Sequence, residues 1–321
     1  MTAPRRAWSK LALRWLTTLV LLGLVLAFLD LPALASRLGS IPPGFVVLAL
    51  GVSVIQVVLS AWRWRFTADR LGVGIPMGFA VREYYLASFL NQVLPGGVVG
   101  DVNRAWRHSK VHGQGGPERS GHLPAIHAVA LERLSGQLVL VPLVILVMGA
   151  LWASGQFRAA EVPVGVSLSD TYWLWLPLLL GIVIWVLLVS DRGLAIFRYV
   201  RRVGTDVHRA FAGWRNGGVQ LTTSLAVLAS YLLVFALIAV GMGLAESFNA
   251  LALVAALSLV LLLAMVVPIT VSGWGVREGV AAMLWPAAGL PAEQGVAISV
   301  GYGAVIFLAS LPGALMLLRK T

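Results

Sequence analysis

Seven apolar stretches, each close to the roughly 20 residues a helix needs to cross a bilayer, recur along this chain at about 11–29, 44–61, 124–151, 172–190, 220–244, 249–267 and 293–318. Inside lipid no water is present to satisfy backbone N–H and C=O groups, so such stretches are confined to helix. The expected fold class is an all-α polytopic membrane protein with about seven to eight transmembrane helices, and residues 1–321 are read as a single integral-membrane domain. Composition agrees: 59% of the residues are hydrophobic and 12% charged, about half the charged share of a soluble domain. No polar run is long enough to form a separate soluble domain. The first stretch follows Arg5, Arg6, Lys10 and Arg14 and precedes Ala33-Leu34-Ala35, which resembles a signal-peptidase site. Its run from Trp15 to Leu29 is long for a signal peptide, so an uncleaved first helix is expected.

Charge then orients the chain. Arg and Lys gather at the N-terminus, in 62–83 (Arg63, Arg65, Arg70, Arg82), in 102–123 (Arg104, Arg107, Lys110, Arg119), across 191–219, and at Arg319-Lys320. The segments 30–43, 152–171 and 245–248 hold only Arg37 and Arg158. The positive-inside rule places the first set, and both termini, in the cytoplasm. It also accounts for the net charge of +11 without a nucleic-acid partner.

That orientation makes one segment anomalous. The chain enters Tyr84 from the cytoplasm and reaches Arg104 still on that side, through the stretch LNQVLPGGVVGD at 90–101. Pro and paired Gly break helices, so residues 84–101 are expected to enter the membrane and return. A second break, VVPITVSGWGVREG at 266–279, opens a discontinuous segment reaching to about 290. Irregular backbone at membrane depth is tolerated only where it is buried in protein or lines a wet cavity. One Pro/Gly-interrupted apolar segment in each half is the pattern that marks a transporter-type binding site.

Both breaks carry charge: Asp101 with Arg104, and Arg277 with Glu278. Glu83 and the Glu132-Arg133 pair are further ionisable groups in apolar surroundings, where charges normally face an interior or a cavity. Two readings stand. Arg forks suit phosphate, and N–H groups around Gly96, Gly97, Gly273 and Gly275 could complete an anion nest; the alternative is that the charges pair and lock helices together. On the first reading these charges and glycines would together suit a lipid phosphate headgroup.

Other features point to structure. His108, His112, His122 and His127 read as loop histidines rather than a metal site. Residues 194–215 alternate apolar side chains with Arg198, Arg201, Arg202 and Arg209, the pattern of a basic amphipathic helix on the inner leaflet. Cys is absent, which excludes disulfides and thiol catalysis. No nucleotide loop, nucleophile elbow or zinc-protease motif is present, and no nucleophile accompanies Asp101. No catalytic residue, metal or cofactor is expected.

The motifs NQVLPGGVVGDVNR (91–104), ALERLSG (130–136) and VPITVSGWGVREG (267–279), in this order, resemble the flippase-like family called the lysylphosphatidylglycerol synthase transmembrane region. The resemblance implies a bacterial cytoplasmic-membrane protein that moves lipid between leaflets, and it carries headgroup binding onto Asn91, Pro95, Gly96, Gly97, Gly100, Asp101, Arg104, Glu132, Arg133, Gly273, Gly275, Arg277 and Glu278, with Gln92 and Ser272 beside them in the same motifs. In the family's best-studied members a separate soluble domain aminoacylates the lipid. The present sequence ends at Thr321, after the last apolar stretch, so translocation rather than synthase chemistry is expected. The implied partners are membrane lipids, namely an anionic or aminoacylated phospholipid or an isoprenoid-type lipid. A separate lipid-modifying transferase and a second copy of the chain are further candidates. The rival reading is a membrane-embedded transferase, or its accessory subunit, acting on a polyprenyl-phosphate-linked donor; a lipid-binding scaffold is a third.

Overall fold

The computed structural model describes residues 31–94, 97–112, 122–155, 192–244, 247–265 and 270–318, with Leu16 and Leu19. These residues form eleven helices and no strand. In chain order they are α1 (Leu31–Gly39), α2 (Pro43–Arg70), α3 (Met77–Val93), α4 (Val99–His112), α5 (His122–Ala153), α6 (Arg192–Phe211), α7 (Trp214–Gly241), α8 (Phe248–Ala264), α9 (Val276–Ala287), α10 (Ala292–Ser310) and α11 (Pro312–Leu318).

The chain is an all-α membrane protein. Among the described residues, four helical segments are long and apolar enough to cross a bilayer: Pro43–Arg70, Leu123–Ala153, Trp214–Gly241 and Ala292–Leu317. Asn249–Ala264 is a shorter apolar helix. Five of the seven expected stretches are therefore helical; 172–190, and 11–29 apart from Leu16 and Leu19, lie outside the described residues.

Helix α2 shows how local sequence sets an element. Pro43 sits in its first turn, where the missing N–H removes nothing and the fixed φ suits a helix. The apolar run was expected to end at 61, yet the helix continues to Arg70. The reason is lateral packing. Ser53, Gln56, Ser60, Arg63 and Thr67 fall on one buried face of α2, and polar groups of α7 meet that face: Gln220 Nε2 donates to Thr67 Oγ1 at 2.9 Å, and Arg63 Nη1 donates to Ser224 Oγ at 2.9 Å. Arg63, Arg65 and Arg70 thus belong to a helix rather than to a loop.

The first break is a helical hairpin. Asn91 pairs with Gly100 and Asp101, and Glu83 with Arg107 at 2.7 Å. These partners approach as one helix rises and the other falls, so α3 and α4 are antiparallel. With 17 residues, α3 reaches about 25 Å, short of a hydrocarbon core of about 30 Å. Both features suit a segment that enters and returns. Gly100 makes the close approach feasible, since a Cβ there would overlap the Ala87 backbone. Pro95 and Gly96 lie outside the described residues.

The second break is built differently. After α8, residues 270–275 form turns, and α9 then runs antiparallel to α10, with Trp285 against Gly295 at one end and Arg277 against Ser299 at the other. Ser272, Gly273 and Gly275 take φ of 52°, 77° and 84°, a left-handed run that only glycine enters cheaply. Twelve residues give α9 a length of about 18 Å, and Ser299 lies about 10 Å into α10. The charged start of α9 is thus held well inside the span formed by α10 and α11.

Two apolar cores result. One joins residues of α5, α7, α8, α9 and α10 around Phe235, Leu257, Trp285 and Tyr302; the other joins α2, α3, α4 and α5 around Trp64 and Tyr84. The amphipathic helix expected at 194–215 is observed as α6. Its inner side is tied to α5 by His127 Nδ1 and Asp206 Oδ2 at 2.7 Å, while Tyr199 and Val200 are exposed.

Candidate functional site

Four helices converge on a buried ionic cluster beside the first hairpin. Asp101 and Arg104 are three apart on α4 and share a face, joined at 2.8 Å. From α5, Glu132 and Arg133 diverge around the helix and serve different neighbours. Glu132, fully buried, accepts from Arg63 Nη2 at 2.6 Å and from Arg104 Nη2 at 3.0 Å. Arg133 reaches the Asp101 carboxylate at 2.8 and 2.9 Å. The Arg104 guanidinium is also enclosed between the rings of Trp64 and Tyr84, with centroids at 4.6 and 4.5 Å, a desolvated cation–π arrangement.

The amide of Asn91 sets the edge of this cluster. Its Oδ1 accepts the Gly100 N–H at 2.7 Å and its Nδ2 donates to Asp101 Oδ2 at 3.1 Å. One side chain thereby caps the start of α4 and holds the carboxylate in place. Three guanidiniums and two carboxylates leave the cluster one positive charge in excess.

That excess borders a cavity of about 820 Å³ between the two halves of the molecule. Arg63, Asp101 and Arg133 are the charged residues on its wall, with Asn91, Gln92 and Ser272 adding polar groups and Val57, Leu140, Leu228 and Ile306 adding apolar surface. Of the three Arg in the cluster only Arg133 is substantially open, its side chain 41% exposed against 5% for Arg63 and 0% for Arg104. A wall that is mostly greasy with few fixed polar groups is the usual form of a small-molecule site.

The second charged pair is closed. Glu278 Oε1 accepts from Arg277 Nη2 at 2.7 Å and from Ser299 Oγ at 2.8 Å, while Arg277 Nε reaches Ser299 Oγ at 2.7 Å. The other carboxylate oxygen, Oε2, accepts the Gly275 N–H at 2.7 Å, which satisfies an orphan donor at the start of α9 as an acid in the first turn should. Trp274 and Tyr302 flank the guanidinium, and a Cβ at Gly303 would overlap it. Arg277 and Glu278 are 1% and 0% exposed and lie behind the cavity wall.

Most of the headgroup residues expected from sequence therefore gather in one place. Asn91, Gln92, Gly97, Asp101, Arg133 and Ser272 line the cavity, and Gly100, Arg104 and Glu132 stand directly behind it. Gly273 and Gly275 shape the turn that presents Ser272. The two broken segments touch at their tips: Ser272 Oγ donates to Gln92 Oε1 at 2.8 Å, across 180 residues of chain. His108 and His127 are buried on helices rather than held in a loop, His108 Nε2 lying 2.7 Å from the Val73 carbonyl and His127 facing Asp206.

Sequence reasoning missed Arg63, Tyr84, Ser224, Tyr231 and Tyr302. An available signal for Arg63 was its place on the polar face of an otherwise apolar helix, three residues after Ser60 and four before Thr67. The tyrosines carry no such mark, because at helical spacing they read as core.

The chain matches neither a curated protein nor a solved structure. The family described as lysylphosphatidylglycerol synthase TM region matches residues 11–313, a range that includes both broken segments, the ionic cluster and the cavity between them. The chain is a multi-pass membrane protein belonging to the lysylphosphatidylglycerol synthase TM region family.

Proposed function

We propose that this protein is a flippase-like lipid translocase of the bacterial cytoplasmic membrane, with both termini in the cytoplasm. It moves a phospholipid or isoprenoid-type lipid between leaflets, the phosphate-bearing headgroup passing through the cavity while the acyl chains stay in lipid. The observation that carries this reading is the cavity itself: about 820 Å³ at the meeting of two broken segments, largely apolar, with the only surplus charge of the adjoining cluster on its wall. An anion leaving water for such a site exchanges hydration for preorganised guanidinium and amide donors, which lowers the cost of midplane crossing.

Reconstitution into liposomes with tail-labelled fluorescent lipids tests this directly. Movement of at least one phosphate-bearing lipid from the inner to the outer leaflet, above the rate of protein-free vesicles, is expected. Absence of movement across the panel overturns the proposal. Turnover of a polyprenyl-phosphate-linked donor by the purified chain, without leaflet exchange, assigns it instead to the transferases.

A further inference from the structure

Charge stoichiometry narrows the ligand. Arg keeps its charge in any protein setting. Each carboxylate of the cluster touches two guanidiniums: Asp101 meets Arg104 and Arg133, and Glu132 meets Arg63 and Arg104. Both are therefore committed as counter-ions, and one positive charge remains. The second charged pair, Arg277 with Glu278, is self-neutralised. Among the described residues no other charged side chain lines the cavity than Arg63, Asp101 and Arg133.

The surplus charge is also placed. Arg63 and Arg104 are packed away, the second between two aromatic rings. Arg133 lies along the wall with its Nη2 on Asp101 and its side chain 41% exposed. A guanidinium offers five N–H donors, so donors remain for an incoming anion. Asn91 and Gln92 bring amide groups to the same cavity. Gln137 also lines the cavity, and its Oε1 is a buried acceptor without a partner, a group that suits a hydroxyl on the ligand. Asp101 sits beside Arg133 and repels any charge beyond the one the site can neutralise.

We infer that the cavity selects lipids whose headgroup carries one net negative charge on a phosphodiester, with Arg133 as the residue that contacts the phosphate. This inference rests on the proposed translocase reading and refines its substrate class: cationic aminoacylated headgroups and multiply charged pyrophosphates are discriminated against, and zwitterions are slower than monoanions.

Vesicles carrying tail-labelled phosphatidylglycerol, phosphatidylcholine, lysyl-phosphatidylglycerol or polyprenyl pyrophosphate provide the test, each assayed with the wild-type protein. Phosphatidylglycerol should move at least about tenfold faster than each of the others, because only its headgroup leaves no net charge unneutralised in the cavity. Arg133→Gln should abolish that ratio, and Arg133→Lys, which keeps the charge, should retain most of it. In Arg133→Gln the Asp101 carboxylate keeps Arg104 as its partner, so the cluster becomes neutral and the variant should fold, which a melting temperature close to that of the wild type checks. Equal rates for all lipids, or a preference that survives in Arg133→Gln, overturns the charge assignment while leaving the translocase reading intact; no movement of any lipid overturns that reading instead. Thermal stabilisation of the purified protein by inorganic phosphate but not by phosphatidylglycerol micelles would reassign the site to a free anion.

Discussion

The two broken segments begin from similar residues and arrive at opposite electrostatic ends. Each has an apolar lead, a Pro, glycines and an acid near an Arg. At the first, a hairpin of two helices lets α5 and α2 add Glu132, Arg133 and Arg63, and the cluster ends with one cation facing a cavity. At the second, Arg277 and Glu278 are chain neighbours whose functional groups turn onto each other and Ser299, leaving a neutral unit behind the wall. Desolvation explains why both outcomes are stable. A buried charge is costly unless paired, so a surplus survives only where water or a ligand can reach it, which is where Arg133 lies. An acid/Arg motif near a helix break is therefore not by itself a ligand site; the count of partners decides.

The sharpest way to break the comparison is topological, because the outcome is all or none. The first hairpin should return to the cytoplasm and the turn between α9 and α10 should face outside. On this cysteine-free background, Lys110→Cys should label only from the cytoplasmic side and Pro291→Cys only from outside. Labelling of residue 110 from outside would invert the hairpin and the site with it.

Next in size is the response to losing a carboxylate. Glu132→Ala leaves Arg63 and Arg104 buried without it, an uncompensated charge that costs about 3–5 kcal/mol. Thermal melting in detergent should show a large loss, with movement abolished. The neutral second unit should behave otherwise when removed whole. Arg277→Met with Glu278→Leu exchanges a buried pair for apolar volume, a change that is often close to neutral, so folding and lipid movement should persist. A folded double variant that moves no lipid would restore Arg277 and Glu278 to the headgroup path.

Glycines give a graded series. Gly100→Ala drives a methyl into the Ala87 backbone and should cost about 3 kcal/mol, near the upper end for overpacking. Gly273→Ala meets Met265 at 3.2 Å with φ at +77°, so about 2 kcal/mol is expected from strain and crowding together. Gly97→Ala has open space around it and φ at +60°, leaving about 1 kcal/mol of left-handed penalty. Melting temperatures in that order would support the observed turns. A raised melting temperature and full lipid movement in the Gly97→Ala, Gly273→Ala double variant would mean that neither turn needs its geometry.

The smallest effect expected lies where the two segments meet. Gln92→Leu removes the Ser272 hydrogen bond, worth about 0.5–1.5 kcal/mol, and should change lipid-movement rate more than melting temperature if the tips separate during transport. Equal and small changes in both would mark the contact as incidental.

Much of this was legible in sequence for a physical reason: the bilayer leaves backbone few options. Apolar length alone located helices such as α5 and α7, and Pro with Gly located both breaks, because lipid forces every interruption to be either absent or purposeful. Motif order likewise pointed to the family. Boundaries were less readable. Helix α2 ran past its apolar portion because α7 supplied partners for its polar face, a condition set by contacts 153 and 161 residues away.

What sequence by itself determined is the class of the chain, the place of the two breaks and the residue types gathered there, since these follow from local composition and the demand that backbone polar groups be satisfied. Only the tertiary structure decided which of those charges are spent. Arg63 reaches Glu132 across 69 positions and Arg133 reaches Asp101 across 32, whereas Arg277 and Glu278 satisfy each other at adjacent positions. Ion pairing depends on separation in space and on access to water, and neither is written in the order of residues along the chain.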